Sequence, residues 1–390
     1  MNKSLTHLKD ILNVLESVIK NKSKNYGLHE PSFSNIDKEY ILKCIDSGYV
    51  SSVGKFVDHF EESIRKVTGS KHAIAVVNGT VALEMALRVS GVQNDDEVFV
   101  PALTFVGTAN AILHANGVPH FVDCDLLHFG INSKKLEDHI EKECEFKNNK
   151  LFNKITGRKI SAVIFVHVFG FPSDLSEIKK ICLKYNLHLI EDAAEALGSF
   201  YNGKSMGTFG RLGIFSFNGN KIITTGGGGV VVTNEDKLAN TLRHITRTSK
   251  IKHTWNFFHD QKGWNFRMPN LNASLGCSQM VNFDNILNKK RDLANLYKIA
   301  FSGSDKFSFI SEIPNSRSNY WLNTVKLKNP NKKILNYLMD ELNQKGYNCR
   351  PAWTLLNDLP MFSDCPKSNL CNSKLLAKSL INLPSSPTLI

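Results

Sequence analysis

No stretch of this chain approaches the roughly 18 consecutive apolar residues that a membrane-spanning helix needs. Its first residues, MNKSLTHLKDILNVLESVIKNKSK, lack the unbroken apolar centre of a secretion signal. The eight cysteines (Cys44, Cys124, Cys144, Cys182, Cys277, Cys349, Cys365 and Cys371) form no C-x-x-C pair. H-E-x-x-H and paired Cys/His spacings are absent too, so neither a disulfide framework nor a metal site has support. The Lys- and Asn-rich stretch from Lys142 to Lys159 has no interleaved aromatics to stack bases, so it reads as a solvated insertion and not as a nucleic-acid surface. What these absences leave is a cytoplasmic protein with reduced, mostly buried thiols.

With 42% hydrophobic and 22% charged residues the chain is globular, not disordered. At roughly 150 residues per domain, 390 residues make two or three lobes. The net charge, 48 − 36 = +12, suits an anionic partner without choosing among nucleic acid, lipid and phosphorylated small molecules.

An amphipathic helix and an arm ending in Leu28-His29-Glu30-Pro31 open the chain. From about Lys71, short apolar runs alternate with helix-like segments. The runs are His72 to Val77, Glu97 to Val100, His120 to Val122, Ser161 to Val168 and Leu187 to Ile190. Such alternation predicts an α/β protein with a mostly parallel sheet covered on both faces. Gly210 to Phe217 and Gly229 to Thr233 read as adjacent strands on either side of Lys221 and a glycine run. One long helical pattern runs from about Leu271 to Phe301. Tyr320 to Leu327, the helix-like Lys333 to Lys345 and a Pro-rich end suggest a smaller α+β lobe.

Gly198 to Ser205, GSFYNGKS, satisfies the letter of the phosphate-loop pattern G-x-x-x-x-G-K-[ST]. That loop works only between a strand and a helix whose N-terminus faces the phosphates. Here Met206-Gly207-Thr208-Phe209-Gly210 follows, and each glycine costs a helix about 1 kcal/mol relative to alanine. The match is therefore set aside.

Three features remain. Asp192 follows the buried run Leu187 to Ile190, where a parallel strand opens onto the ligand crevice; an N-cap is the plain alternative. Lys221 sits at a strand-to-turn junction between apolar segments, before Gly226 to Gly229. An amine hemmed in by apolar groups becomes a nucleophile, though an exposed turn lysine is the ordinary reading, and four glycines are more often a tight turn than a phosphate cradle. Asn78-Gly79-Thr80 lies between a strand and a helix, either an anion site of backbone N–H groups or a simple cap. Together they supply what pyridoxal 5'-phosphate requires: a lysine for a Schiff base, a carboxylate against the pyridine nitrogen and a phosphate cup.

At NGTVAL (78–83), PALTF (101–105), EDAAEALG (191–198), SFNGNKIITTGGGG (216–229) and GWNFRMPN (263–270), the chain resembles the DegT/DnrJ/EryC1/StrS sugar aminotransferases. YVSSVGK (49–55), His259-Asp260, SNYWLNTV (318–325) and RPAWTLLNDLPMF (350–362) resemble the LegC branch, of legionaminic acid and bacillosamine synthesis. The resemblance implies the aspartate aminotransferase (type I) fold of the pyridoxal-phosphate-dependent transferases. Residues 1–265 then form a large domain with a mixed, mostly parallel sheet, and 266–390 a smaller C-terminal α+β domain.

The resemblance also assigns roles. Lys221 carries the Schiff base and moves protons, and Asp192 holds the ring nitrogen. Gly79, Thr80 and Ser216 bind the phosphate. Phe105 stacks on the ring, and Glu195 stands near the ring hydroxyl, where relatives carry Gln or His. Asn265 reaches the cofactor of a neighbouring subunit, which makes a homodimer part of the site. Ser52, Arg267 and Tyr320 contact substrate. The implied reaction carries an amino group from L-glutamate to C4 of a 4-keto-6-deoxy sugar on UDP, a 2-acetamido sugar above all, for bacterial surface glycans. GDP as carrier, attack at C3 and a non-catalytic regulatory protein stay open as alternatives. The related dehydratases carry histidine in place of the lysine, which Lys221 argues against.

Overall fold

A computed structural model describes residues 2–21 and 23–390. The first helix, α1 (Asn2–Val18), buries Leu8, Ile11, Leu15 and Val18; their spacing of three and four puts them on one stripe. Helices α2 (Asn35–Asp46) and α3 (Lys55–Thr68) follow. The alternating region then runs β1 (His72–Val76), α4 (Gly79–Ser90), β2 (Glu97–Pro101), α5 (Val106–His114), β3 (Val118–Val122) and α6 (Ser133–Glu143). It continues through β4 (Cys144–Lys147), β5 (Lys150–Asn153), β6 (Lys159–Val166), α7 (Ser176–Lys184) and β7 (His188–Asp192). It closes with β8 (Phe200–Tyr201), β9 (Lys204–Ser205), β10 (Leu212–Ser216), β11 (Gly229–Thr233) and α8 (Asp236–Ile245).

Seven of these strands lie in the order β1-β11-β10-β7-β6-β2-β3, with the β4–β5 hairpin attached through β6. Pairings from β10 to β3 are parallel, while β11 pairs antiparallel with both β1 and β10. This mixed, mostly parallel α/β sheet matches the fold expectation. Its central strands are buried on both faces, as runs such as Ala162 to Phe165 require.

Two local expectations change and a third holds. The 142–159 stretch is largely exposed, as expected, but it is more than a solvated insertion: β5 pairs with β6, Leu151 is buried, and Asn153 donates to the buried Glu97 at 2.9 Å. The long helical pattern breaks at Asn282 into α9 (Asn270–Val281) and α10 (Phe283–Ala300), because Asn282 leaves helical geometry with φ −102° and ψ 9°. The rejected phosphate-loop match is the β8–β9 hairpin, turning through Asn202 and Gly203, both at positive φ.

Beyond α10 come β12 (Phe307–Phe309), β13 (Ser316–Arg317), β14 (Asn323–Leu327), α11 (Lys332–Gln344), β15 (Arg350–Pro351), α12 (Cys371–Leu376) and β16 (Leu380–Leu383). A four-stranded sheet in the order β12-β14-β16-β15 packs its core, Val325, Leu327, Leu335, Leu338 and Ile381 among others, with Leu8, Ile11 and Leu15 of α1. All eight cysteines are free; six are buried, Cys365 is half-buried and Cys371 exposed. Among the described residues no helix is long and apolar enough to cross a membrane, and no cluster of His, Cys, Asp or Glu fits a metal ion.

Candidate active site

A cavity of about 330 Å³ opens where the parallel strands end. Its walls include Gly79, Thr80, Phe105, Asp192, Glu195, Ser216 and Lys221, seven residues from four separate segments of the sequence. A larger cavity, about 650 Å³, lies beside β3 and the β4–β5 hairpin around His120, His139 and Lys367; none of the candidate site residues from the sequence lines it. The smaller one holds the chemistry.

Asp192 is the last residue of β7, so its side chain enters the crevice as strand position dictates. Oδ2 accepts from Thr108 Oγ1 at 2.8 Å and Oδ1 from the Ala194 amide at 3.1 Å, fixing both oxygens. Thr104 and Thr108 hydroxyls are 3.0 Å apart, so one face of the PALTF segment supports the carboxylate. Burial pushes the Asp192 carboxyl upward, and those hydrogen bonds hold it down only in part. A ring-nitrogen cation placed against it relieves that cost.

Lys221 closes a turn, its amide donating to the Asn218 carbonyl at 3.0 Å. Its Nζ donates to Glu195 Oε1 at 3.1 Å and stands 4.2 Å from the centre of the Trp321 indole. The ammonium-bearing side chain is only 12% exposed, unlike an ordinary turn lysine. Glu195 Oε2 accepts from the Phe169 amide at 2.8 Å, and burial pushes this carboxyl upward as well. The four glycines are the tight turn of the plain reading: the Thr225 amide donates to the Phe217 carbonyl and the Phe217 amide to the Gly228 carbonyl, both at 2.9 Å, which returns the chain into β11.

Helix α4 begins at Gly79, capped by Asn78, whose Oδ1 accepts from the Val81 amide at 2.8 Å. That leaves the first amides of a twelve-residue helix facing the cavity beside Thr80 and Ser216. The approach is close, since a Cβ on Gly79 would stand 2.9 Å from Ser216 Cβ. Phe105 sits before α5, 53% exposed at the cavity mouth, with Trp353 6.4 Å away between ring centres. An amine, a buried carboxylate, an exposed ring and a helix N-terminus around one cavity fit pyridoxal phosphate, with Lys221, Asp192, Phe105 and Gly79-Thr80-Ser216 as the residues to hold it.

The structure does not gather every residue expected from sequence. Ser52, Asn265 and Arg267 line a separate cavity of about 420 Å³ together with Arg247 and Lys250. Arg267 is 7% exposed, and among the described residues its Nε and Nη1 have no hydrogen-bond partner. It feels the charge of Glu61, and its contact with Asp58, at 3.8 Å, is too long for a well-formed structural pair. Tyr320 reaches neither cavity: it is buried, stacked on Phe309, and its hydroxyl accepts from the Glu312 amide. The cause is local. Tyr320 has φ 46°, which swings its side chain away and presents the next residue, Trp321, to Lys221. Trp321, Trp353 and Thr108 were missed. Both tryptophans lie inside quoted motifs, but composition alone does not say which aromatic of Tyr320-Trp321 faces inward.

This is the fold and site of a vitamin-B6-dependent aminotransferase. The DegT/DnrJ/EryC1/StrS aminotransferase family model matches residues 31–390, and the chain belongs to that family of pyridoxal-phosphate-dependent sugar-nucleotide aminotransferases. It is 34% identical to a GDP-perosamine synthase of Escherichia coli O157:H7, over 94% of each chain. It is also 34% identical to the UDP-4-amino-4,6-dideoxy-N-acetyl-beta-L-altrosamine transaminase of Campylobacter jejuni, over 72% of this chain and 71% of the relative. A crystal structure of a DegT/DnrJ/EryC1/StrS aminotransferase from Brucella abortus superposes with a TM-score of 0.82 at 26% identity, covering 91% of each chain.

Proposed function

We propose that this protein transfers the amino group of L-glutamate to C4 of a nucleoside-diphosphate-linked 4-keto-6-deoxy sugar. The observation that carries the reading is the Lys221 amine sharing one cavity with the anchored Asp192 carboxylate and the start of α4. When bound, the cofactor supplies a carbonyl for the amine and a ring that withdraws electrons. Lys221 would act as the nucleophile and then as the base that takes and returns a proton at the substrate's amino-bearing carbon. Asp192 would hold the ring nitrogen, and Gly79, Thr80 and Ser216 would hold the phosphate.

Two carriers compete. The relative matched over 94% of the chain is named for a GDP sugar, which favours GDP. The LegC-like segments at 49–55, 318–325 and 350–362 favour a UDP-linked 2-acetamido sugar, and the Campylobacter relative is named for a UDP sugar. Mass spectrometry of amine formation from GDP- and UDP-linked 4-keto sugars with glutamate separates them. We expect one carrier to be used at least about tenfold better, a difference of about 1.4 kcal/mol in transition-state binding. No amine from either series overturns the substrate assignment.

The site reads as shared between two copies, with residues 1–265 as the body that carries the cofactor and 266–390 as the smaller one. The Ser52–Asn265–Arg267 cavity carries three basic residues, and among the described residues two nitrogens of its buried guanidinium lack a hydrogen-bond partner, as a half-site awaiting a phosphate or carboxylate from a second copy would. Leu42, Ile45, Tyr49 and Val53, on the neighbouring α2 and the strap after it, are exposed apolar residues that a second copy would cover. Complementation tests this. Lys221→Ala and Arg267→Met are each expected to be inactive. Co-refolded in equal amounts they should regain about a quarter of wild-type activity, since half the dimers are mixed and each has one intact site. A mixture as inactive as its parts rules out sharing. The reading places the enzyme in the cytoplasm, where glutamate and nucleotide sugars are available.

A further inference from the structure

Lys221 must lose a proton before it can attack a carbonyl or abstract hydrogen from carbon, and in the described residues Nζ donates to one acceptor, Glu195 Oε1. We propose that Glu195 is the group that accepts this proton, a catalytic residue acting directly on the Lys221 amine. The inference rests on the aminotransferase reading and adds a second proton carrier to it.

The geometry separates the two carboxylates by task. Asp192 has both oxygens tied, to Thr108 and to the Ala194 amide, and is the partner for a ring cation. Glu195 has Oε2 tied to the Phe169 amide, and among the described residues Oε1 accepts from Lys221 alone. Once Asp192 is matched by a cation, Lys221 and Glu195 remain as a buried pair. In such surroundings the neutral amine–acid form competes with the ion pair, because both charges lose hydration. Burial, with a smaller push from the charge of Asp192, moves the Glu195 carboxyl upward against the pull of Lys221 and the Phe169 amide, and makes it a better proton store. The charged and titratable groups around the pair are Asp192 at the end of β7, Lys221 itself, His167 after β6 acting through Asp192, and His29 of the N-terminal arm, itself facing Lys221 and Lys290 of α10. Burial and the charges of Lys290 and Lys221 push the His29 imidazole's affinity for a proton well down, so it is a poor acceptor beside Glu195. In the step itself the ammonium N–H bond breaks and an O–H bond forms on Oε1. The electron pair stays on Nζ, and the proton returns by the same path.

The test is the rate at which pyridoxal phosphate recombines with apoenzyme, followed by visible absorbance as a function of pH. Glu195→Gln keeps the shape and an acceptor for the Phe169 amide but takes up no proton. For the wild type, a rate nearly independent of pH is expected through the neutral range. For Glu195→Gln, the rate should be at least tenfold slower at neutral pH and rise about tenfold per pH unit, because removal of the proton then falls to the solvent. Glu195→Asp, one methylene shorter but still a base, should recover part of the flat profile. Superimposable profiles for wild type and Glu195→Gln, with matching circular dichroism, overturn the role of Glu195 while leaving the cofactor assignment intact. A wild type that takes up no pyridoxal phosphate overturns the cofactor assignment instead, and this inference with it.

Discussion

Lys221→Ala is expected to lower amino transfer by on the order of 10⁴-fold or more and to abolish the yellow colour of the protein incubated with pyridoxal phosphate. The residue supplies two things that nothing nearby replaces. Among the described residues its Nζ is the one amine on the cavity wall, and it is positioned by a turn closed through Asn218 and by contact with Glu195 and Trp321. The substitution removes a side chain from a cavity and breaks no backbone hydrogen bond, so folding should be preserved. Absorbance and steady-state kinetics, with circular dichroism as the folding control, check this. Activity within tenfold of wild type, or an unchanged visible band, contradicts the assignment of Lys221.

Glu191→Ala is expected to destabilise the protein by about 4 kcal/mol and lower its melting temperature by about 10 °C, with cofactor binding lost in the same change. Glu191 is fully buried, one residue before Asp192. Its carboxylate accepts from His167 Nε2 at 2.9 Å and from the amides of Gly207 at 2.8 Å, Phe209 at 2.5 Å and Gly210 at 2.6 Å. Truncation strands three buried backbone donors, each costing about 1–3 kcal/mol, in part offset by water entering the space. That total is a large share of the roughly 5–15 kcal/mol that holds a domain folded. Glu177→Ala, which removes an exposed partner of Lys180, serves as the contrast and should leave the melting temperature unchanged. Calorimetry of both variants decides, and equal melting temperatures disprove the role given to Glu191.

Glu191 also shows where reading the sequence stops. EDAAEALG places two acids side by side at the end of a strand, and the neighbouring strands make clear that this end faces a crevice. Alternation along β7 sends Glu191 to one face and Asp192 to the other, so one becomes a structural anchor for the Gly207–Gly210 loop and the other lines the cavity beside Thr108. The residue types alone carry no such distinction. The same holds at Tyr320-Trp321, where one positive φ decided which aromatic meets the lysine.

By itself the sequence determined the alternating α/β plan, because buried parallel strands must be short apolar runs and crossover helices must separate them. It also determined which lysine, acid and glycine turn belong together, because their chemistry converges on one cofactor. Only the tertiary structure decided that Glu195 meets Lys221, that Thr108 and Trp321 support the site, and that Ser52, Asn265 and Arg267 gather in a cavity of their own. Those contacts join residues from tens to two hundred positions apart. Their distances follow from strand order and loop closure, which local propensity and spacing do not encode.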